Sequence, residues 1–131
     1  MKTEMFYLAC VATFTALMWV PYVLNRFAVW GIADTVGYPA NPKALAPWAE
    51  RLKKAHANAV ENLVVFAALV LAANALGITG GVVATAAIAY FWGRIVHAAA
   101  YVLALPWVRT LGFTVGFFAQ MAVAWQILGR M

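Results

Sequence analysis

Between Met5 and Asn25 the chain runs 21 residues without a charged side chain. As an α-helix rising 1.5 Å per residue, that stretch is ~31 Å long, about the thickness of a bilayer's hydrocarbon core. Lys2 resembles the basic start of a signal peptide, but the apolar run is too long and lacks a small-x-small exit. The stretch is therefore read as a first membrane span ending near Arg26. Asp34–Pro47 follows as the one loop of any length, because it collects Gly37, Pro39, Asn41, Pro42 and Pro47, all turn or breaker residues. Pro47 suits the first turn of a helix and Glu50 complements that helix's N-terminal dipole. A second span is expected over Pro47–Ala75. Gly77, Gly80 and Gly81 mark a tight turn into a third span over Val82–Ala104. Leu105-Pro106 then breaks the chain before a fourth over Trp107–Leu128.

Composition agrees with lipid as the solvent. Hydrophobic residues make up 66% and charged residues 10% of the 131, against roughly 25% charged in soluble domains. A soluble chain this short could not hide so much apolar surface. The expected fold is an all-α, four-transmembrane-helix bundle forming one domain over residues 1–131. A net charge of +5 raises nucleic acid as a partner. The nine basic residues, however, are scattered or sit where spans end, which argues against it. Cys10, the single cysteine, has no partner for an intrachain disulfide.

Orientation follows from Lys and Arg near the span ends. The side holding the long loop and the third-to-fourth break carries Arg26, Lys43, Arg51, Lys53, Lys54 and Arg109. The other carries Lys2 and Arg130. This bias places the long loop in the cytoplasm and both termini on the opposite side.

The informative residues are the polar ones at membrane depth, where an ionisable side chain is costly and usually faces a cavity or a partner. The second span carries Arg51, Lys54, Asn58 and Glu61 at i, i+3, i+7 and i+10, an arc of about 80° on one face. The third carries Arg94, His97 and Tyr101 as another stripe, and Arg109 and Thr110 open the fourth. Glu61 lies seven residues past Lys54, ~10 Å inward, and Arg94 eleven residues before Leu105, ~16 Å inward from the same side. Similar depth makes Arg94 the expected counter-ion of Glu61. Taken singly, each residue has a plainer reading: the pair as structural glue, His97 as a packing residue, Lys53 and Lys54 as interface anchors, Arg109 as a snorkelling side chain. Together they outline a cationic pocket suited to a small anionic ligand, with a lipid-accessible flank. His56 falls on the opposite face and is read as interfacial. No metal-ligand spacing is present.

Two blocks carry a resemblance. Glu50-Arg51-Leu52-Lys53-Lys54-Ala55-His56-Ala57-Asn58-Ala59-Val60-Glu61-Asn62 is similar to the E-R-x-x-R-A-H-x-N-x-x-E-N element of the MAPEG family, the membrane-associated proteins of eicosanoid and glutathione metabolism. Gly93-Arg94-Ile95-Val96-His97, continuing through Tyr101, Leu105-Pro106 and Arg109, resembles that family's R-x-x-H-x-x-x-Y element and its following arginine. The nearest branch by these motifs is that of microsomal glutathione transferase 1 and prostaglandin E synthase. Lys54 stands where the family usually has Arg, Ala57 where some members place another Arg, and Phe113 where the leukotriene branch has Tyr.

The resemblance implies a homotrimer embedded in membrane lipid, with glutathione as cosubstrate bound between neighbouring subunits. Carried over residue by residue, it implies glutathione binding by Arg26, Arg51, Lys54, Asn58, Glu61, Arg94, His97 and Tyr101, and a catalytic Arg109 that stabilises the thiolate. The implied activity is a glutathione-dependent transferase or peroxidase acting on a hydrophobic small-molecule electrophile by thiolate attack. The alternative is a non-catalytic lipid-binding or scaffold protein of the same fold. A transporter is a weaker reading, because the half of the bundle near Gly77–Gly81 offers no polar path.

Overall fold

In a computed structural model describing residues 1–131, the chain is all helical: α1 (Thr3–Leu17), α2 (Trp19–Val36), α3 (Pro47–Ala75), α4 (Gly81–Val102) and α5 (Pro106–Leu128). Helices α1 and α2 run on as one span over Thr3–Val36, so four helical stretches are long and apolar enough to cross a membrane. The chain is thus a multi-pass bundle. Only 27 of the 131 residues are buried, and large apolar side chains such as Trp92, Phe118 and Trp125 stand exposed. A water-soluble protein does not expose that much apolar surface.

The first span departs from expectation in two ways. Its regular hydrogen bonding lapses at Met18, three residues before Pro21, whose missing N–H leaves the Leu17 carbonyl without its usual helical partner. The helix also continues past Arg26 to Val36, so Asp34–Val36 are helical and the loop narrows to residues 37–46. Gly31 breaks this extension with a left-handed φ of 80°, a conformation glycine adopts at little cost. The loop is tied back to α2 by Trp30 Nε1, which donates to the Lys43 carbonyl at 2.7 Å, and by Asn25 Oδ1, which accepts from the Ala46 N–H at 3.0 Å.

Helix α3 has the predicted bounds, with Pro47 in its first turn. It ends on Gly77 at φ 75°, and the Ile78 N–H closes back on the Ala73 carbonyl at 2.8 Å. This is a Schellman cap, and the buried Ile78 supplies its hydrophobic contact. Helix α4 ends the same way, two residues short of the expected Ala104. Leu105 N–H reaches the Ala100 carbonyl at 2.8 Å, while Ala104 takes φ 58°. Leu105 is then extended, as the residue before a proline should be, and Pro106 starts α5. This cap sets the direction in which α5 re-enters the bundle.

Helices α4 and α5 approach to backbone contact at Gly93 and Gly112. A Cβ on Gly112 would meet the Gly93 carbonyl oxygen at 2.8 Å and the His97 nitrogen at 2.9 Å. Small residues at such crossings are how membrane helices gain packing without a hydrophobic driving force. The larger apolar core lies toward the α3–α4 turn around Phe66 and Tyr90, whose rings stack at 3.8 Å. A smaller one, of Met18, Leu52, Ala55, Ala59 and Ala98, lies toward the loop.

Candidate functional site

Near the α4–α5 break two clefts open side by side. The deeper, about 310 Å³, is lined by Asn58, His97, Tyr101, Arg109, Thr110 and Phe113. The outer, about 260 Å³, is lined by Arg51, Ala100, Tyr101, Ala104, Leu105, Pro106 and Arg109. Tyr101 and Arg109 line both, so the two clefts meet at that pair. No lining residue is acidic.

Local structure explains each placement. Arg109 lies in the first turn of α5, and the Pro106 start orients that turn. Its guanidinium sits over the Tyr101 ring, 5.1 Å from the centroid, a cation–π contact that holds the charge at the junction. Tyr101 lies one turn beyond His97 on α4, and their rings meet edge to face at 5.6 Å. Phe113 closes the other side of the imidazole at 6.3 Å. His97 is buried, and its Nδ1 has no hydrogen-bond partner within the chain. Arg51 donates through Nε to the Val102 carbonyl at 2.9 Å. This satisfies an orphan carbonyl at the end of α4 and fixes the guanidinium beside the outer cleft.

Arg94 lies behind the deep cleft, 3% exposed, and donates through Nη2 to Asn58 Oδ1 at 2.6 Å. The expected Glu61–Arg94 ion pair does not form within the chain. Glu61 is exposed, because it stands 60° around α3 from Asn58, on the edge of the stripe that turns outward. Lys54 is exposed on the same outward edge and lines neither cleft. Arg26 is also apart from the clefts. Its guanidinium stacks on Tyr22 at 5.6 Å and Trp30 at 5.3 Å. His56 is interfacial to α2, its Nδ1 2.8 Å from the Tyr22 hydroxyl. Of the nine predicted site residues, Arg51, Asn58, His97, Tyr101 and Arg109 line the clefts, Arg94 backs them, and Arg26, Lys54 and Glu61 lie elsewhere.

Two features escaped the sequence reading. Gln120, neutral and alone in an apolar stretch, is buried and donates to the Asn62 carbonyl at 3.1 Å. Glu4, outside the predicted first span, is 1% exposed and accepts hydrogen bonds from the Thr79 hydroxyl and the Gly80 N–H. The buried acid of this bundle is therefore Glu4, at the end remote from the clefts, and not Glu61.

The clefts gather cationic and donor groups around an apolar-flanked opening in the membrane part of the bundle. Such a site can bind an anion and hold a developing negative charge. No curated protein matches the sequence. The MAPEG family pattern matches residues 6–129, all four spans and every residue of both clefts. That family is a four-helix membrane bundle whose members include glutathione transferases and related enzymes. With the fold and nearly the whole chain in agreement, this chain belongs to the MAPEG family.

Proposed function

We propose that the chain is a glutathione-dependent transferase or peroxidase for lipophilic electrophiles, nearest to the microsomal glutathione transferase 1 and prostaglandin E synthase branch. The observation that carries this reading is Arg109, a guanidinium at the junction of two acid-free clefts, stacked on Tyr101. A free thiol with a pKa of ~8.5 is only a few per cent ionised at pH 7. Lowering it by ~2 units stabilises the anion by ~2.7 kcal/mol, within reach of one close guanidinium in a poorly hydrated site. Arg109 stays charged at any working pH and its field favours thiolate over thiol. The thiol proton leaves to solvent, and the sulfur forms a bond to the electrophilic carbon or to a peroxide oxygen. Calorimetric titration of the purified protein with glutathione tests the reading, and the expected result is saturable binding. No heat at millimolar ligand would remove glutathione as the cosubstrate.

The scattered remainder of the predicted site supports a homotrimer. Lys54 and Glu61 face outward and Arg26 is held on α2, so a neighbouring copy is needed to bring such residues to the clefts. Mass measurement in detergent is expected to give three chains, and a monomer that still bound glutathione would contradict a site between subunits. The basic bias of the loop side supports a cytoplasmic loop, with both termini opposite. A cysteine placed at Lys43 is expected to be labelled from the cytoplasmic face, and labelling only from the other face would reverse the orientation.

An apolar groove of about 680 Å³ between α4 and α5, near Val82, Ala89 and Phe118, favours lipid binding without catalysis as the second reading. Retained lipid binding with no thiol chemistry would select it.

A further inference from the structure

The deep cleft's recognition of its ligand depends on which end of the Asn58 amide faces it, and the surrounding bonds determine that. Arg94 has donors only, so the Asn58 atom 2.6 Å from its Nη2 is the carbonyl oxygen. The same Oδ1 accepts from Asn62 Nδ2 at 3.3 Å, and Asn62 Nδ2 also donates to the Asn58 main-chain carbonyl at 2.9 Å. Two donors from two helices thus occupy the oxygen. The Asn58 Nδ2 group makes no hydrogen bond within the chain and is not among its buried unpartnered atoms, while Asn58 itself lines the deep cleft. The end left for a ligand is therefore the amide N–H pair.

Asn62 is in turn fixed from α5. Gln120 Nε2 donates to the Asn62 carbonyl at 3.1 Å, and Gln120 is 6% exposed. Gln120 lies eleven residues beyond Arg109, so both stand on one face of α5, ~16 Å apart along its axis. One helix face therefore carries both the cleft's charge and the bond that sets its amide.

We infer that Gln120 is a remote positioning residue. Through Asn62, and together with Arg94, it clamps Asn58 so that the deep cleft offers an N–H donor to a carbonyl or carboxylate oxygen of the ligand. The glutathione arm of this inference rests on the function proposed above; the clamp itself does not. A mobile Asn58 side chain presents oxygen and nitrogen in turn, and an acceptor then meets a repulsive partner part of the time. Arg109 is untouched by this, so the cost falls on binding more than on chemistry.

The test uses the full chain in micelles with 15N-labelled asparagine, the Asn58 side-chain pair being identified by its loss in Asn58→Asp. Without ligand, the parent's Asn58 amide is expected to be rigid. In Gln120→Met its order parameter is expected to fall to the flexible range, below ~0.6. Glutathione is expected to shift the Asn58 pair in the parent. In Gln120→Met, KM is expected to rise about ten-fold while kcat falls less than three-fold. Asn62→Ala removes the next link and is expected to loosen Asn58 likewise, which keeps the clamp testable if Gln120→Met does not fold. An Asn58 amide as rigid in the variants as in the parent overturns the clamp. Absence of glutathione binding in the parent overturns the ligand reading alone, since the ligand-free order parameters still decide the clamp.

Discussion

The two ends of this bundle are built on different terms. Toward the α3–α4 turn, packing is apolar and close: Phe66 and Tyr90 stack among Val11, Val70, Val83 and Val123, all nearly inaccessible. Its one buried acid, Glu4, reaches from α1 to the Thr79 hydroxyl and the Gly80 N–H at the start of α4. Beside it Lys2 Nζ donates to Asn74 Oδ1 at 2.7 Å. Toward the loop the apolar core shrinks to five mostly small residues, and the space between helices goes to Arg51, Asn58, Arg94, His97 and Arg109. Close packing at one end supplies the rigidity that lets the other keep open, polar clefts at membrane depth. The difference divides the chain into a part that sets stability and a part that sets chemistry.

That division can be broken most severely at Phe66. Phe66→Ala is expected to cost ~3–5 kcal/mol, as buried Phe-to-Ala changes typically do, read as a large fall in thermal midpoint in detergent. A midpoint within a degree of the parent would mean that the apolar end does not carry the fold.

The α4–α5 crossing joins the two ends and sharpens the comparison. A Cβ on Gly112 would meet only backbone, the Gly93 oxygen at 2.8 Å and the His97 nitrogen at 2.9 Å, so the helices must part. A Cβ on Gly116 would meet Arg94 Cδ at 3.5 Å, an ordinary contact. Gly112→Ala is therefore expected to lose ~1–3 kcal/mol by overpacking and to weaken ligand binding in the clefts. Gly116→Ala should be neutral or gain up to ~1 kcal/mol of helix propensity. Paired melting curves decide it, and equal effects would contradict the backbone contact.

The smallest stability effect is expected at Glu61. It is exposed and leaves Arg94 to Asn58, so Glu61→Gln should change the single chain's stability by less than ~0.5 kcal/mol. A loss of ~3–5 kcal/mol, the cost typical of breaking a buried ion pair, would restore the Glu61–Arg94 pair, made then between neighbouring copies.

Most of the fold was legible because its cause is one-dimensional. Span length and charge-free runs depend only on lipid thickness, and Pro47 and Leu105-Pro106 punctuate the chain by their own stereochemistry. The first span was misjudged where punctuation was subtle: Pro21 lies inside it, and Gly31 lets helix resume to Val36. The clefts were legible as stripes, since helical periodicity puts Arg94, His97 and Tyr101 on one face. What periodicity lacks is the direction in which a stripe points. An arc of about 80° on α3 runs from Asn58, turned toward Arg94, to Glu61, turned outward, and equal depth could not tell those edges apart. Gln120 gave no signal because a single neutral amide in an apolar helix has no periodic partner; its meaning lies in the Asn62 carbonyl opposite.

Everything about the chemistry turns on whether Arg109 stabilises a thiolate. Single-turnover absorbance of glutathione thiolate, followed across pH in the parent and in Arg109→Leu, measures this directly. The parent is expected to show a bound thiol ionising ~2 units below the free value of ~8.5, and the variant one shifted back in the alkaline direction. The variant's turnover should be at least ten-fold lower, with little change in melting point, because Arg109 is only half-buried and has no ionic partner. An identical thiolate pKa in the two proteins would contradict the enzyme reading and return Arg109 to the role of an interface anchor.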